Sequence, residues 1–294
     1  MSEFHPLSAA SPTRTIELTI DDRPVRVPEG ATLLEACSGA GVETPTLCYL
    51  SSLTPANACR LCVVELEGSR ALVPACSRTA EEAMVVHTDS ERVRHSRKMV
   101  LEFLASAVDL AVAPDLAGYM ERYGADAGRY GASARTAAQP VRIDNGLYVR
   151  DYSKCVLCYR CVEACGTDAQ NTFAIAVSGR GFGAGIATEF EVPLPDSACV
   201  YCGNCIGVCP TGALMFSSEY EMRRDGTWHE RSQTQTDTIC SYCGVGCTLT
   251  LHVQENRIVK VTSPADRGVA DGSLCVKGRF GSAYVQRRED DPVR

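Results

Sequence analysis

The stretch that decides the reading is Cys155-Val-Leu-Cys158-Tyr-Arg-Cys161-Val-Glu-Ala-Cys165, followed after a glycine-rich connector by Cys199-Val-Tyr-Cys202-Gly-Asn-Cys205-Ile-Gly-Val-Cys209-Pro210. Each half has the spacing C-x2-C-x2-C-x3-C. In such a run three cysteines hold one [4Fe–4S] cube and the fourth reaches across to the other. The crossed assignment gives Cys155, Cys158, Cys161 and Cys209 to one cube, and Cys199, Cys202, Cys205 and Cys165 to its neighbour. Three-residue steps on a tight turn bring successive sulfurs to neighbouring irons. The ligand from the far half ties the two loops together, so cluster binding is also folding energy. A zinc knuckle could use one such run; two of matched spacing point to an electron wire.

Working outward, 294 residues leave room for two or three modules. Seventeen cysteines suit either a disulfide-rich secreted scaffold or a metal carrier. The opening MSEFHPLSAASPTRT lacks the apolar core of a signal peptide, and no later stretch is long and apolar enough to span a bilayer. A cytoplasmic, metal-bearing protein without a membrane span is therefore expected. The net charge of −7 argues against a nucleic-acid partner. With aromatics at 6% and Trp228 the single tryptophan, the cores are expected to be modest, the metal centres supplying part of the stability.

Toward the N-terminus, residues 15–20 (TIELTI) alternate apolar and polar, Asp21-Asp22 offers a turn, and 24–27 (PVRV) can return as a paired strand. After a second turn at Pro28-Glu29-Gly30, Thr32 is placed to cap a short helix, LLEACSGAG. Hairpin, helix and further short strands at 62–67 and 71–75 predict a β-grasp domain over residues 14–89. Within it, Cys48-x10-Cys59-x2-Cys62-x13-Cys76 brings three cysteines close in sequence and a fourth on a later strand, which suits a planar [2Fe–2S] centre held by Cys48, Cys59, Cys62 and Cys76.

The pieces "TLCYL", "ACRLCVVELEG" and "VPACS" resemble the [2Fe–2S] domain of complex I's large iron–sulfur subunit. The same domain opens iron-only hydrogenases, the diaphorase small subunit of NAD-reducing hydrogenases and NAD-linked molybdenum or tungsten formate dehydrogenases. The resemblance extends from residue 15 to residue 281. It implies that the amphipathic helix 90–106, with Ser90 as a candidate cap, leads into a segment where one His and three Cys ligate a further cluster. AVDLAVAPDLAGYMERYG keeps the length of that segment but has neither His nor Cys, so this cluster is expected to be lost while its scaffold remains. His95 reads as an ordinary histidine and Cys37 as a small buried residue.

Residues 125–146 read as a linker closing a helical segment that spans 90–146. The bacterial-type 2[4Fe–4S] ferredoxin module is expected over 147–217. Its connector, VSGRGFGAGIA, lacks the G-x-x-x-x-G-K-[ST] pattern and strand-then-helix context of a phosphate loop. Residues 218–236 read as a second linker.

Beyond them, Cys240-x2-Cys243-x3-Cys247-x27-Cys275 brackets two alternating strands, TLTLHVQ and RIVKVTS, joined by a Glu-Asn turn. A zinc ribbon is the plainer alternative. The pattern resembles the small β-rich N-terminal [4Fe–4S] domain of molybdopterin oxidoreductases, here 234–282, with ligands Cys240, Cys243, Cys247 and Cys275. That resemblance implies an electron-relay role for Lys277 of "CVKGR", between cube and pterin.

Four sets of four leave only Cys37. His5, His87, His95, His229 and His252 are scattered and form no recognisable catalytic triad. The expected protein is thus α+β, carries one [2Fe–2S] and three [4Fe–4S] centres, and catalyses nothing alone. By the resemblance it relays electrons between a flavin (FMN) and NAD-binding subunit and a molybdenum- or tungsten-pterin subunit acting on formate or CO2. The thirteen residues after "CVKGRFG" cannot build a pterin site, so that site is expected on another polypeptide unless the chain is a fragment. The alternatives are a hydrogenase diaphorase subunit, whose likeness ends near residue 217, and a zinc- or cluster-bound interaction protein without redox throughput.

Overall fold

The computed structural model describes residues 14–265, 267–284 and 286. Two compact units result: one comprises the chain up to Thr46 with Cys59–Val100, the other Leu47–Ala58 with the chain from Leu101 onward. His5 and the first thirteen residues of the opening stretch lie outside the described residues.

In the first unit the alternation of TIELTI puts Ile16, Leu18 and Ile20 on the buried face of β1 (Thr15–Ile20). Asp21 and Asp22 both take positive φ (+46° and +63°) and turn the chain into β2 (Arg23–Pro28). Two consecutive left-handed residues match the twist of a tight hairpin. Helix α1 (Leu33–Gly39) begins with a capping box: the Glu35 amide donates to Thr32 Oγ1 at 3.2 Å, and the Thr32 amide donates to the Glu35 carboxylate at 2.7 Å. Its inner face carries Leu33, Leu34, Ala36 and Cys37.

Strands β3 (Val63–Leu66), β4 (Val73–Pro74) and β5 (Val85–His87) complete a five-stranded sheet of order β2-β1-β5-β3-β4. All neighbours are antiparallel except β1 and β5. This is the β-grasp arrangement that the hairpin-then-helix order predicts. Its middle strand, β5, is absent from the sequence reading because three residues are too few to show a period. Helix α2 (Glu91–Ala107) starts in this unit, its first turn capped by Ser90 Oγ, which accepts from the Val93 amide at 3.3 Å.

In the second unit, α3 (Pro114–Tyr123) closes on Gly124 in the left-handed region. It occupies the segment read as the scaffold of a lost cluster. The ferredoxin-like module follows as β6 (Tyr148–Arg150), α4 (Arg160–Cys165), β7 (Ala176–Ser178), β8 (Gly185–Ala187), α5 (Asn204–Gly207) and β9 (Leu214–Phe216). β6 pairs with β9 and β7 with β8, both antiparallel. The core between them holds Tyr148, Tyr152, Ile175, Ile186, Ile206 and Phe216.

Residues 218–236 are not simply a linker. Helix α6 (Ser217–Arg224) covers the first part and β10 (Thr234–Ile239) begins within the last. What masks the helix in sequence is its polarity: Glu219 pairs with Arg223 one turn on and with Lys260 of a later strand rather than burying an apolar stripe. β10, β11 (Thr248–Gln254) and β12 (Arg257–Thr262) form an antiparallel sheet whose second hairpin turns at Glu255-Asn256, both at positive φ. A last helix, α7 (Val276–Phe280), begins after Cys275.

Candidate metal centres

The two halves of the ferredoxin-like module repeat not only cysteine spacing but backbone conformation. Leu157 and Tyr201, equivalent in the repeat, take φ of +52° and +56°; Tyr159 and Gly203 take +67° and +72°. These turns aim backbone N–H groups at sulfur. The Leu157 amide points at Cys155 Sγ (3.5 Å) and the Tyr201 amide at Cys199 Sγ (3.4 Å), while the amides of Arg160 and Asn204 donate to the Cys158 and Cys202 sulfurs. Strain that a non-glycine residue would otherwise avoid is thus spent on orienting donors.

The structure brings the crossed sets together. Cys155, Cys158, Cys161 and Cys209 line one apolar cavity, with Tyr152 and Ile186 among its walls. Burial first, with Cys209 adding to it, pushes the Cys155 thiol up to about 11 and that of Cys158 to about 12. Cys161 is shifted well upward by burial, then by Cys209 and Cys158. In the other half, burial raises Cys202 and Cys205, and Cys165 and Cys199 add repulsion to both. Cys161 and Cys205 feel each other, so the two sets are neighbours.

Four buried or half-buried thiolates facing one another are unstable without positive charge between them. That donor set fits an iron–sulfur cube, whose irons would be held by the four sulfurs of each set. Hydroxyl groups complete the surroundings: Tyr148 Oη lies 3.2 Å from Cys199 Sγ and Thr172 Oγ1 3.5 Å from Cys165 Sγ.

At the C-terminal set, β10 ends at Ile239 and β11 begins at Thr248, and these two residues pair, so Cys240, Cys243 and Cys247 all lie on the loop closing one hairpin. The Cys240 amide donates to the Cys247 carbonyl at 2.8 Å. Cys275 caps α7 and joins them: burial first, then Cys240, Cys243 and Cys275, raises the Cys247 thiol. Cys243 and Cys275 are exposed, as is Lys277. Among the described residues Lys277 has no ion-pair partner.

In the first unit, the pairing of Val63 with Pro74 sets Cys62 and Cys76 at one end of β3 and β4. Buried Arg97 on α2 clamps this strand, donating from Nε to the Leu61 carbonyl (3.1 Å) and from Nη2 to that of Val63 (2.9 Å), on either side of Cys62. Cys59 precedes Arg60, whose φ is +59°. Cys48, the fourth expected ligand, is buried on the segment that groups with the second unit. There Thr54 clips the segment to the ferredoxin-like module through its amide and hydroxyl, which donate to the Asp168 carboxylate at 2.6 and 3.0 Å. Arg160 lies within electrostatic reach of Cys48, Cys158, Cys209 and Asp115; burial pulls its guanidinium down and these groups hold it up.

Among the described residues no three His, Cys, Asp or Glu side chains close up enough to hold a single metal ion; within the two crossed sets and the C-terminal set the thiols act on one another across the space between them. Cys37 is fully buried on α1, away from every set in sequence and pushed upward by burial. His95 is exposed, and His252 is buried against Thr262 Oγ1 at 2.9 Å.

Sequence reasoning does not single out Tyr148, Arg160 or Arg279. Arg279 stands in the quoted "CVKGR", where the resemblance points instead to its neighbour Lys277. It is buried, pulled down to about 10 by that burial and held up by Cys202 and Cys205.

Comparison with known proteins finds iron–sulfur domains in the same order along the chain. Residues 13–91 match a 2Fe–2S iron–sulfur cluster binding domain, 154–213 a 4Fe–4S dicluster domain, and 233–287 the molybdopterin oxidoreductase Fe4S4 domain. The chain is built of iron–sulfur domains. One NADH-quinone oxidoreductase subunit of Rhizobium meliloti is 34% identical over 93% of this chain and 32% of its own length. A formate dehydrogenase-like protein of Staphylococcus haemolyticus is 27% identical over 91% and 31%. The crystal structure of an NAD+-reducing [NiFe]-hydrogenase superposes with a TM-score of 0.60 at 26% identity, covering 68% of this chain and 87% of that one. The chain thus spans about a third of the length of these curated relatives. Among the described residues no helix is long and apolar enough to cross a membrane.

Proposed function

We propose that this chain is the electron-transfer part of a cytoplasmic, NAD-linked formate dehydrogenase, working between a flavin- and NAD-binding subunit and a molybdenum- or tungsten-pterin partner. Bound iron–sulfur clusters, one [2Fe–2S] held by Cys48, Cys59, Cys62 and Cys76 and three [4Fe–4S] held by the other three sets, would supply one-electron exchange. The chain's own residues fix the positions of the sulfurs, aim N–H and O–H donors at them, and exclude water with Tyr152, Ile186 and Ile206.

The observation that carries this reading is the pair of crossed cysteine sets lying side by side within one body that also holds the C-terminal set. A pterin partner is favoured by the C-terminal surface. Cys243, Cys275 and Lys277 are exposed there, with Ile239, Val245 and Val276 also open to solvent. A buried cube site has no such face to offer. An NAD-side partner draws support from the quinone-linked and hydrogenase relatives, which are NADH- and NAD+-linked. The hydrogenase-type reading has its own support in the structural likeness above, but the molybdopterin-type domain at 233–287 is better accommodated by a pterin partner.

Anaerobic purification tests the proposal. The expected result is about fourteen irons per chain with matching sulfide, reducible centres by electron paramagnetic resonance, and co-purifying chains bearing flavin and a molybdenum or tungsten pterin. Zinc in place of iron, or nickel in the partner, would overturn it.

A further inference from the structure

The two halves of the ferredoxin-like module differ in a patterned way. Where the first half has Tyr159 and Glu163, the second has Gly203 and Gly207. A Cβ on Gly203 would lie 3.0 Å from Arg279 Cγ and 3.0 Å from Phe280 Cζ, and one on Gly207 would lie 3.2 Å from Arg279 Nη1. The second half has been cleared of side chains to admit two residues of α7. Phe280 stacks on Tyr148, ring centroids 6.2 Å apart, and packs on Phe216 at 5.5 Å.

Arg279, only 1% exposed, enters between the turn carrying Cys202 and the C-terminal sheet. Nε donates to the Cys202 carbonyl (3.4 Å), Nη1 to that of Val261 (3.5 Å), and Nη2 to Asn204 Oδ1 (3.0 Å) and the Gly272 carbonyl (3.4 Å). Asn204 Oδ1 also accepts from the Leu274 amide at 2.8 Å. A residue between Cys202 and Cys205 therefore grips the residue next to Cys275. Every acceptor on the guanidinium is neutral, and among the described residues no carboxylate pairs with it. A buried cation without a counter-ion is costly. The anions within its reach are the sulfurs of Cys202 and Cys205, two members of the set completed by Cys165 and Cys199.

We propose that Arg279 is the positioning residue at the junction of the dicluster module and the C-terminal iron–sulfur domain, and that its fixed charge favours the reduced form of the cluster held by Cys165, Cys199, Cys202 and Cys205. This rests on the relay reading above. Each electron added makes that cluster more negative, and a fixed positive charge in a low-dielectric setting favours the more negative form.

The test is a redox titration of the anaerobically purified full chain, followed by electron paramagnetic resonance, with iron content measured on every sample. Arg279→Gln is expected to make reduction of one [4Fe–4S] centre about tenfold less favourable, equivalent to about 59 mV for one electron. The [2Fe–2S] signal should not move. Arg279→Lys, which keeps the charge and loses the fork, should shift that centre less than threefold while weakening the magnetic coupling between it and the C-terminal centre. Should Arg279→Gln lose a cluster, Asn204→Asp decides, because it keeps both acceptor contacts and neutralises the guanidinium where it stands; the same downward shift is expected. Unmoved potentials in both neutralising variants, or equal shifts in the Gln and Lys variants, overturn the proposal. A parent chain with no reducible iron instead overturns the relay reading on which it stands.

Discussion

Tyr148 Oη sits 3.2 Å from the sulfur of Cys199. Burial, and then the neighbouring Cys205 and Cys199, push the phenol far above its ordinary range, so against a thiolate the hydroxyl is the donor. A hydrogen bond to sulfur strengthens as the cluster gains an electron. Tyr148→Phe keeps the ring that stacks on Phe280 and removes only the donor. The reduction potential of one cube should fall by about 20–40 mV, on the order of 0.5–1 kcal/mol of differential hydrogen bonding. Redox titration with unchanged iron content is the check, and an unmoved potential would sink the idea.

Crossed ligation makes a counter-intuitive claim about Cys209. Although it follows Cys205 by only four residues, the cavity it lines is that of Cys155, Cys158 and Cys161. Cys209→Ala should therefore cost up to about four irons and alter the signal that Cys158→Ala alters, leaving the signal sensitive to Cys202→Ala in place. Cys37→Ser is the matched control. It should lose no iron, yet destabilise the first unit by about 1–2 kcal/mol, because a hydroxyl replaces a thiol in a fully buried site.

Much of this was legible in the sequence because ligand spacing and turn chemistry are local. The Cys155–Cys165 and Cys199–Cys209 runs, the Asp21-Asp22 and Glu255-Asn256 turns and the Thr32 cap each lie within a dozen residues. Strand β5 was not legible, since its three residues acquire meaning only from flanking strands distant in the chain. Helix α6 was missed because ion pairs with Lys260 and Glu230, rather than a stripe of apolar residues, hold Arg223 and Glu219 in place. Arg279 was hidden for a related reason. Its partners, Cys202 and Asn204, lie more than seventy residues away, beyond the reach of any local pattern.

His252 supplies a pH dependence. Burial, and then Lys260 beside it, lowers its pKa to about 4, whereas the unfolded chain titrates near 6.5. Between these values the unfolded state binds the extra proton, so stability is full above about pH 6.5 and declines as pH falls toward 4. The loss approaches about 3 kcal/mol at the acid end if the whole shift is realised. His252→Gln retains a hydrogen-bonding group but cannot titrate. Thermal melts at pH 7.5 and 5 should separate the parent protein more than the variant; equal pH sensitivity in both would exclude His252 as the source.

Gly203 tests whether docking of α7, rather than backbone shape, dictates the residue. Its counterpart Tyr159 holds almost the same left-handed φ with a full side chain, so conformation alone does not demand glycine. Gly203→Ala should cost about 1 kcal/mol for the backbone and a further 1–2 kcal/mol for pressing a methyl group onto Arg279 and Phe280. The strain is relieved by opening the junction, so the consequence is local. Hydrogen exchange at the Arg279 amide, bonded to the Cys275 carbonyl at 3.0 Å, should quicken by about thirtyfold or more, while amides of β1 and β2 keep their protection. Tyr159→Ala, at the equivalent turn of the first half, should leave the Arg279 amide untouched. If both variants, or neither, accelerate exchange there, glycine at 203 answers to the turn and not to the guest it admits.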